Sequence, residues 1–245
     1  MKKILIFCVL SVSYCSVASQ SVGIDKKNTN QDFAFFSFEH RDAVPPYGLD
    51  KVSKLIYEIK GDQYSGTSLD EKTYQSLLLR EQFTYHMIHP EQFAQICSMD
   101  LSRADRQKAI FAQLPLIFQG FKWSERQWKF FSTNRDSVIA WMDECIRQEN
   151  KVGLNFKRAI VYLNASKMTP LLIRTYTLGP KDNNLLTVLM LLLKQSKYPP
   201  FLASPLYKKL YEAEDASYHS AVDFSFDNEL LILSCATDFS KGLGK

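Results

Sequence analysis

Two segments of this chain occur twice, and the repetition constrains its fold more than any other feature. TPLLIRTY at residues 169–176 returns as SPLYKKLY at residues 204–211, with the hydroxyl, the proline, a leucine, a basic residue and the final tyrosine kept. DNNLLTV at residues 182–188 returns as DNELLIL at residues 227–233, so the second copy carries ten more residues between its halves. Self-similarity at this spacing is typical of stacked helix pairs, each too thin to have a core of its own.

On these duplicated pairs, and on the helix pair predicted just before them, the C-terminal half resembles α-helical repeats of the HEAT and armadillo type. It departs from them in its unequal unit lengths and in lacking a clean third copy, which leaves a compact irregular helical bundle as the alternative. Proteins with such repeats mostly bind other proteins on a concave face. The resemblance therefore implies a protein-binding function.

Length and composition are those of an ordinary globular protein. The 245 residues are 46% hydrophobic and 23% charged, which is enough for one large or two small domains. We expect an all-α fold, an irregular stack of antiparallel helix pairs with a small β-ribbon. We place it in one domain over residues 32–245, with N-terminal helices at 49–131 and repeat-like pairs at 136–239.

The N-terminus has the pattern of a secretory signal. Lys2 and Lys3 precede a short apolar run, and small residues stand at Ser16 and Ala18. We expect cleavage after Ala18 and export to the periplasm or medium, because the run is too short to span a membrane. Loss of Lys2 and Lys3 then lowers the formal net charge from +4 to 4 − 2 = +2, and a net charge this small does not indicate a nucleic-acid partner.

The residues after the signal are polar and then strongly aromatic. Residues 19–31 predict a flexible lead-in. Four phenylalanines follow in six residues at 33–38, as an edge strand or a hydrophobic staple. A strand there could pair with VDFSFD at residues 222–227 as a two-stranded ribbon.

The N-terminal half predicts a series of short helices. Helical spacing begins at Leu49 and ends near Gly61. A capping box at Ser68 and Glu71 predicts one helix up to Pro90, which itself could open a short helix through Cys97. Further helices are predicted over residues 102–114, capped by Ser102, and after the capping box of Ser124 and Gln127.

The C-terminal half predicts longer helices. Residues 136–148 and 155–164 are amphipathic, and Thr169 with Pro170 predicts a cap followed by the best-tolerated proline position. Asp182 or Asn183 is expected to cap the next helix. The apolar residues at 185–193 cover every side of that helix, so we expect it to be buried nearly all round.

The cysteines do not form a disulfide framework. Removal of the signal leaves Cys97, Cys145 and Cys235, an odd number. All three lie beside apolar residues, so we expect buried free thiols, with a bridge between Cys145 and Cys235 as the alternative.

His86 and His89 are the best metal candidates in the sequence. They lie three residues apart near a helix end, with Glu91 close by and Glu39 or His40 as further ligands if the fold allows. Zinc needs three or four ligands, and only two are placed by local spacing. The alternative we favour is a helix end where histidines interact with the C-terminal dipole.

FKWSERQWKFF at residues 121–131 interleaves basic and aromatic residues, a pattern also seen in proteins that bind single-stranded nucleic acid. Because we expect export, we favour a helix anchored by Trp128 and Phe131 whose basic residues Lys122, Arg126 and Lys129 face water. The remaining alternative is a partner-binding surface.

No motif for nucleophilic catalysis is present: the chain has no GxSxG, SxxK or HExxH sequence, and no cofactor is implied. We therefore expect an exported, non-catalytic protein that binds another protein in the cell envelope, as an inhibitor, an immunity-type protein or a scaffold. The alternative is an envelope hydrolase or metal-dependent enzyme that uses His86 and His89. The binding site is expected on the added loop, residues 212–226. Its anchors would be Tyr218, Phe224 and Phe226, and Glu214 and Asp215 would form its polar rim.

Overall fold

Eleven α-helices make up most of the described part of the chain, which confirms the predicted all-α class with a small β component. The computed structural model describes residues 42–59, 68–93, 108–114, 121–217 and 219–243. The predicted signal, lead-in and phenylalanine-rich strand lie outside these residues, as do Glu39, His40, Gly61, Cys97, Ser102 and Tyr218.

The described elements follow in chain order. The N-terminal helices are α1 (Leu49–Tyr57), α2 (Glu71–Gln75) and α3 (Leu79–Ile88), followed by the strands β1 (Gln92–Phe93), β2 (Ala109–Phe111) and β3 (Phe121–Lys122). Then come α4 (Glu125–Thr133), α5 (Arg135–Glu149), α6 (Leu154–Tyr162), α7 (Thr169–Leu178), α8 (Asn183–Gln195), α9 (Pro199–Leu202), α10 (Pro205–Tyr207), β4 (Ala221–Asp223) and α11 (Phe226–Gly242). A 3₁₀ turn at Ser166–Met168 precedes α7, and a π-helical turn at Lys208–Glu212 follows α10.

The long helix predicted between Ser68 and Pro90 is divided into α2 and α3. Asp70, not Ser68, caps α2, because its Oδ1 accepts a hydrogen bond from the Thr73 amide at 3.0 Å. The Ser76 hydroxyl donates to the Thr73 carbonyl at 2.7 Å, a local bond that competes with the helix ladder. The Glu81 carboxylate then accepts from the Leu78 amide at 2.8 Å and starts a new helix.

Two stretches predicted as helices contain strands instead. After Pro90, Gln92 pairs with Lys122 in the antiparallel β1–β3 ladder. The predicted helix at 102–114 contains β2, in which Ile110 pairs with Val222 of β4. Of the segment 222–227 predicted as a ribbon strand, Val222 and Asp223 lie in β4 and pair with β2, whereas Phe226 and Asp227 begin α11. A three-residue apolar run such as β2 has no periodicity that distinguishes a strand from a helix, so its neighbours decide.

The predicted capping residues of the C-terminal helices are partly correct. Asp182 caps α8 by accepting from the Asn184 amide at 3.0 Å, and Ser204 caps α10. Thr169 does not cap α7, because the helix continues from the 3₁₀ turn and its N-cap is Met168. In the second copy Ser225 caps α11, and Asp227 lies inside the first turn.

Helix α8 lies at the centre of the main core. Each of its residues from 183 to 193 is buried, which confirms the predicted all-round burial. Helices α6, α7, α9 and α11 and strand β2 all contact it. A second, smaller core joins α1, α2 and α3; its buried members are Val52, Leu69, Tyr74, Leu77 and Tyr85.

Cys145 and Cys235 are both free thiols, so the bridge considered between them does not form. Cys145 is buried and Cys235 is partly exposed. In the described residues, no helix combines the length and the apolar character that a membrane span requires.

Candidate functional site

Exposed apolar side chains mark the start of α11. Phe224 is 38% exposed and Phe226 is 71% exposed, and both belong to the predicted partner-binding residues. Leu230, one helical turn after Phe226, is 54% exposed and was not predicted. The four-residue spacing from Phe226 was the signal that pointed to it. We call Phe224, Phe226 and Leu230 the terminal face.

The added loop is predicted over residues 212–226, and its first part, residues 212–220, is closed at its base by the end of strand β2. The Tyr211 hydroxyl donates to the Ala112 carbonyl at 2.8 Å, and the Ala112 amide donates to the Ser220 carbonyl at 2.8 Å. The two ends of this segment are therefore both bonded to Ala112 and lie close together. Its predicted rim residues Glu214 and Asp215 are exposed, as is Glu212. We call this segment the acidic loop.

Strand β4 separates the acidic loop from the terminal face. It runs from Ala221, opposite Phe111, to Asp223, opposite Ala109. The Phe224 amide then donates to the Lys108 carbonyl at 2.5 Å. Three residues of extended chain span about 10 Å. The structure thus places the predicted site residues in two neighbouring parts, one acidic and one apolar.

Several hydrogen bonds fix the first turn of α11. The Asn228 amide donates to the Ser225 hydroxyl at 3.2 Å, and the Asn228 side chain donates to the Asp223 carbonyl at 3.2 Å. Glu229 Oε1 accepts from the Tyr176 hydroxyl at 2.8 Å and from Lys181 Nζ at 2.5 Å. Phe226 and Leu230 are therefore presented on a rigid helix start, held to the end of α7.

The charge of this region is mainly negative, and its neighbouring cations are Lys181, which is bonded to Glu229, and Lys108, whose carbonyl accepts from the Phe224 amide. Residues 212–233 contain six acidic residues and no lysine or arginine, although the whole chain carries a net charge of +4. Burial raises the pKa of Glu229, but the bonds from Lys181 and Tyr176 outweigh it, so that pKa lies below its ordinary value. Glu229 is therefore ionised at neutral pH, and the other five acidic residues are exposed.

The rival site at His86 is a buried aromatic box. His86 Nε2 lies 2.9 Å from the Tyr74 hydroxyl, and the ring of Phe130 lies 4.6 Å away, centroid to centroid. Burial, assisted by the charge of Arg126, holds the pKa of His86 well below its usual range. His86 Nδ1 has no hydrogen-bond partner among the described residues. The described residues contain no group of three potential metal ligands.

Glu91, the third expected ligand, is saturated by hydrogen bonds. Its carboxylate accepts from the Tyr85 hydroxyl at 2.8 Å, from the Ser124 hydroxyl and from the Arg126 guanidinium. Arg126 also lies over the Tyr74 ring at 4.4 Å. The prediction that Arg126 faces water is wrong, because the buried carboxylate 35 positions earlier needs a cation.

The other predictions for segment 121–131 hold. Lys122 and Lys129 are exposed and Phe131 is buried. Trp128 is partly buried and lies edge-on to Trp123 at 4.8 Å. This helix is therefore anchored by its aromatic residues.

An open cleft of about 630 Å³ lies between α5, the turn at residues 164–168 and Leu243. Its main charged groups are already engaged. Arg135 donates to the Leu163 and Asn164 carbonyls at 3.0 and 3.1 Å, and Asp143 pairs with Arg147 at 2.5 Å. None of the residues predicted for partner binding lines this cleft.

Comparisons of the chain with models of protein families, with characterised proteins and with solved structures gave no match.

Proposed function

We propose that this protein is exported, has no catalytic activity of its own, and binds another protein through the terminal face and the acidic loop. The observation that carries the proposal is the exposure of Phe226 and Leu230 on the same side of a rigid helix. Aromatic anchors surrounded by polar residues are the usual centre of a protein-binding surface. The bound protein would be held in the envelope, with this chain as inhibitor, immunity-type protein or scaffold.

A rigid helix start lowers the entropic cost of binding, because the anchors are already held in place before the partner arrives. The acidic loop adds a second contact about 10 Å away, well within one ordinary interface. The same loop is not needed to build the helix pair, since the two copies match on either side of it.

Capture from a cell-envelope extract tests the proposal. The chain from residue 19 onward would be immobilised as wild type, as Phe226→Ser with Leu230→Ser, and as Leu78→Ser. Leu78 is 70% exposed at the start of α3 and is a matched control for losing a surface apolar residue. We expect the wild type and the control to retain the same partner, and the double variant to retain at least about tenfold less.

A third variant, with residues 213–220 replaced by a Gly-Ser link, separates the two parts of the site. We expect it to fold, because the loop base is held at Tyr211 and Ser220, and to bind more weakly. Capture that is equal for all four proteins would place the binding site elsewhere. Stoichiometric zinc in the purified wild type would contradict the non-catalytic proposal.

Export is tested separately by the intact mass of the protein purified from its natural envelope. We expect a chain that begins at Ser19. A chain that still begins at Met1, or a lipid on Cys15, would contradict the proposed signal cleavage.

A further inference from the structure

The exposed side of α11 is apolar in its N-terminal part and polar further along the helix. Phe226, Leu230, Ser234 and Asp238 are exposed and lie four residues apart, so they form one stripe. Its first two positions are apolar and its last two are polar. The opposite side is buried through Ile232 and Ala236, and α11 contacts α7 and α8.

Two positions of this stripe are covered in the first copy of the repeat, whereas Lys181, the counterpart of Phe226, is exposed. Leu230 corresponds to Leu185, which is 2% exposed, and Ser234 corresponds to Leu189, which is fully buried. In a stack of helices, each helix is covered by the next one. Leu230 and Ser234 are therefore exposed at positions that a further helix could cover, and the described chain does not supply one.

The charged residues near the terminal face restrict which kind of partner could bind there. Asp223 and Asp227 are exposed beside the terminal face, and Glu212, Glu214 and Asp215 are exposed on the acidic loop. Five exposed carboxylates outnumber the nearby lysines Lys108 and Lys181, and a net negative surface favours a basic partner and disfavours acidic chains and nucleic acids. A twofold contact between two copies through this face would set these carboxylates against each other.

Resting on the proposed function, we infer that the partner contributes a basic amphipathic helix. Its apolar side covers Phe226 and Leu230 in the manner of an additional repeat helix, and its lysines or arginines lie against Asp223, Asp227 and the acidic loop. The face and the loop lie about 10 Å apart across β4, so a helix of about two turns or more would reach both.

A pair of labelled peptides tests this inference. Both would have about 18 residues with leucine at helical i, i+3, i+4 and i+7 spacing; the other positions are lysine in one peptide and glutamate in the second. Fluorescence anisotropy would measure their binding to the chain from residue 19 onward. We expect the lysine peptide to bind at least about tenfold more tightly than the glutamate peptide, and more weakly as salt rises from roughly 50 to 300 mM.

Three variants locate the bound peptide. Leu230→Ser should weaken binding of the lysine peptide at least about tenfold, and Asp223→Asn with Asp227→Asn should weaken it severalfold and reduce its salt dependence. Leu78→Ser should leave binding unchanged. Retention of the wild-type melting curve by each variant shows that the fold is kept.

The inference is overturned if the two peptides bind equally, if Leu230→Ser has no effect, or if the lysine peptide fails to bind at about 100 μM. It is also overturned if sedimentation shows a dimer that Leu230→Ser dissociates, because the occupant is then a second copy. If envelope capture still depends on Leu230 while the lysine peptide does not bind, the proposed function stands and only the class of partner is wrong.

Discussion

Helices α8 and α11 begin with nearly the same seven residues, DNNLLTV and DNELLIL, and they have opposite surroundings. In α8 every residue from 183 to 193 is buried, whereas in α11 only Glu229, Ile232 and Ala236 are. Both segments form helices, so the shared residues determine the local structure. Burial is determined by the neighbours: within the described residues, α8 has helices or strands on several sides, whereas α11 contacts α7, α8 and α9 and leaves the Phe226–Asp238 stripe exposed.

The polar residues of the two copies differ in the same way. Asp182 is buried, and its Oδ2 lies 2.5 Å from Nζ of the fully buried Lys157 of α6. Its counterpart Asp227 is exposed. Asn184 is replaced by Glu229, which is bonded to Tyr176 and Lys181. The first copy thus uses its charge inside the core. The second copy uses one charge to fasten its helix to α7 and leaves the other on the surface.

The largest expected difference between the copies is the response to a charge in the apolar stripe. Leu189→Asp should abolish folding, because α8 has no polar side to rotate toward water and a buried unpaired carboxylate costs more than a typical protein can lose. Leu230→Asp should fold with nearly the stability of the wild type. Circular dichroism and thermal melting check both variants. A soluble Leu189→Asp protein with the wild-type melting temperature would contradict the burial of α8.

A smaller difference is expected at the two aspartates. Asp182→Asn keeps a capping oxygen for the Asn184 amide but removes the carboxylate that lies against the buried Lys157 ammonium, so it should lower the free energy of unfolding by about 3–5 kcal/mol. Asp227→Asn should change it by less than about 0.5 kcal/mol. Urea denaturation measures both.

The control for the Asp182 prediction is the double variant Lys157→Met with Asp182→Asn. It also removes the buried charge of Lys157 and should recover part of the lost stability. A loss below about 1 kcal/mol for Asp182→Asn alone would mean that water reaches the pair, and the contrast between the copies would then disappear.

The sequence predicts those parts of this molecule that depend on near neighbours in the chain. In the predicted capping box, the Ser124 amide donates to Gln127 Oε1 at 3.1 Å and the Gln127 amide donates to Ser124 Oγ at 3.3 Å. Both bonds form because the two residues lie within one turn. The central burial of α8 follows from its apolar run, since no rotation of that helix offers water a polar side.

Features that depend on distant neighbours were missed. Strand β2 forms because β4 pairs with it from more than a hundred residues away, which its three apolar residues do not reveal. Arg126 turns inward because Glu91 is buried beside it. The exposure of Leu230 is of the same kind: in sequence it equals the buried Leu185, and only the absence of a covering element in the described chain distinguishes them.

The smallest expected difference concerns acid sensitivity at Glu229, a charged position of α11 at which α8 has Asn184. The folded-state pKa of Glu229 is lowered, so its ionised form stabilises the fold above the unfolded pKa of about 4.3, and this contribution disappears as pH falls through the folded pKa. Glu229→Gln should therefore lower the free energy of unfolding by about 1–2 kcal/mol at pH 7. The difference from the wild type should shrink as pH falls below about 4 and vanish at still lower pH.

Asn184→Gln, the matched change in α8, removes no charge and should give a difference that does not vary with pH. Urea denaturation of the three proteins between about pH 3 and pH 7 measures these values, and a Glu229→Gln difference that stays constant over that range would mean that the bonds from Tyr176 and Lys181 do not depend on the charge of Glu229.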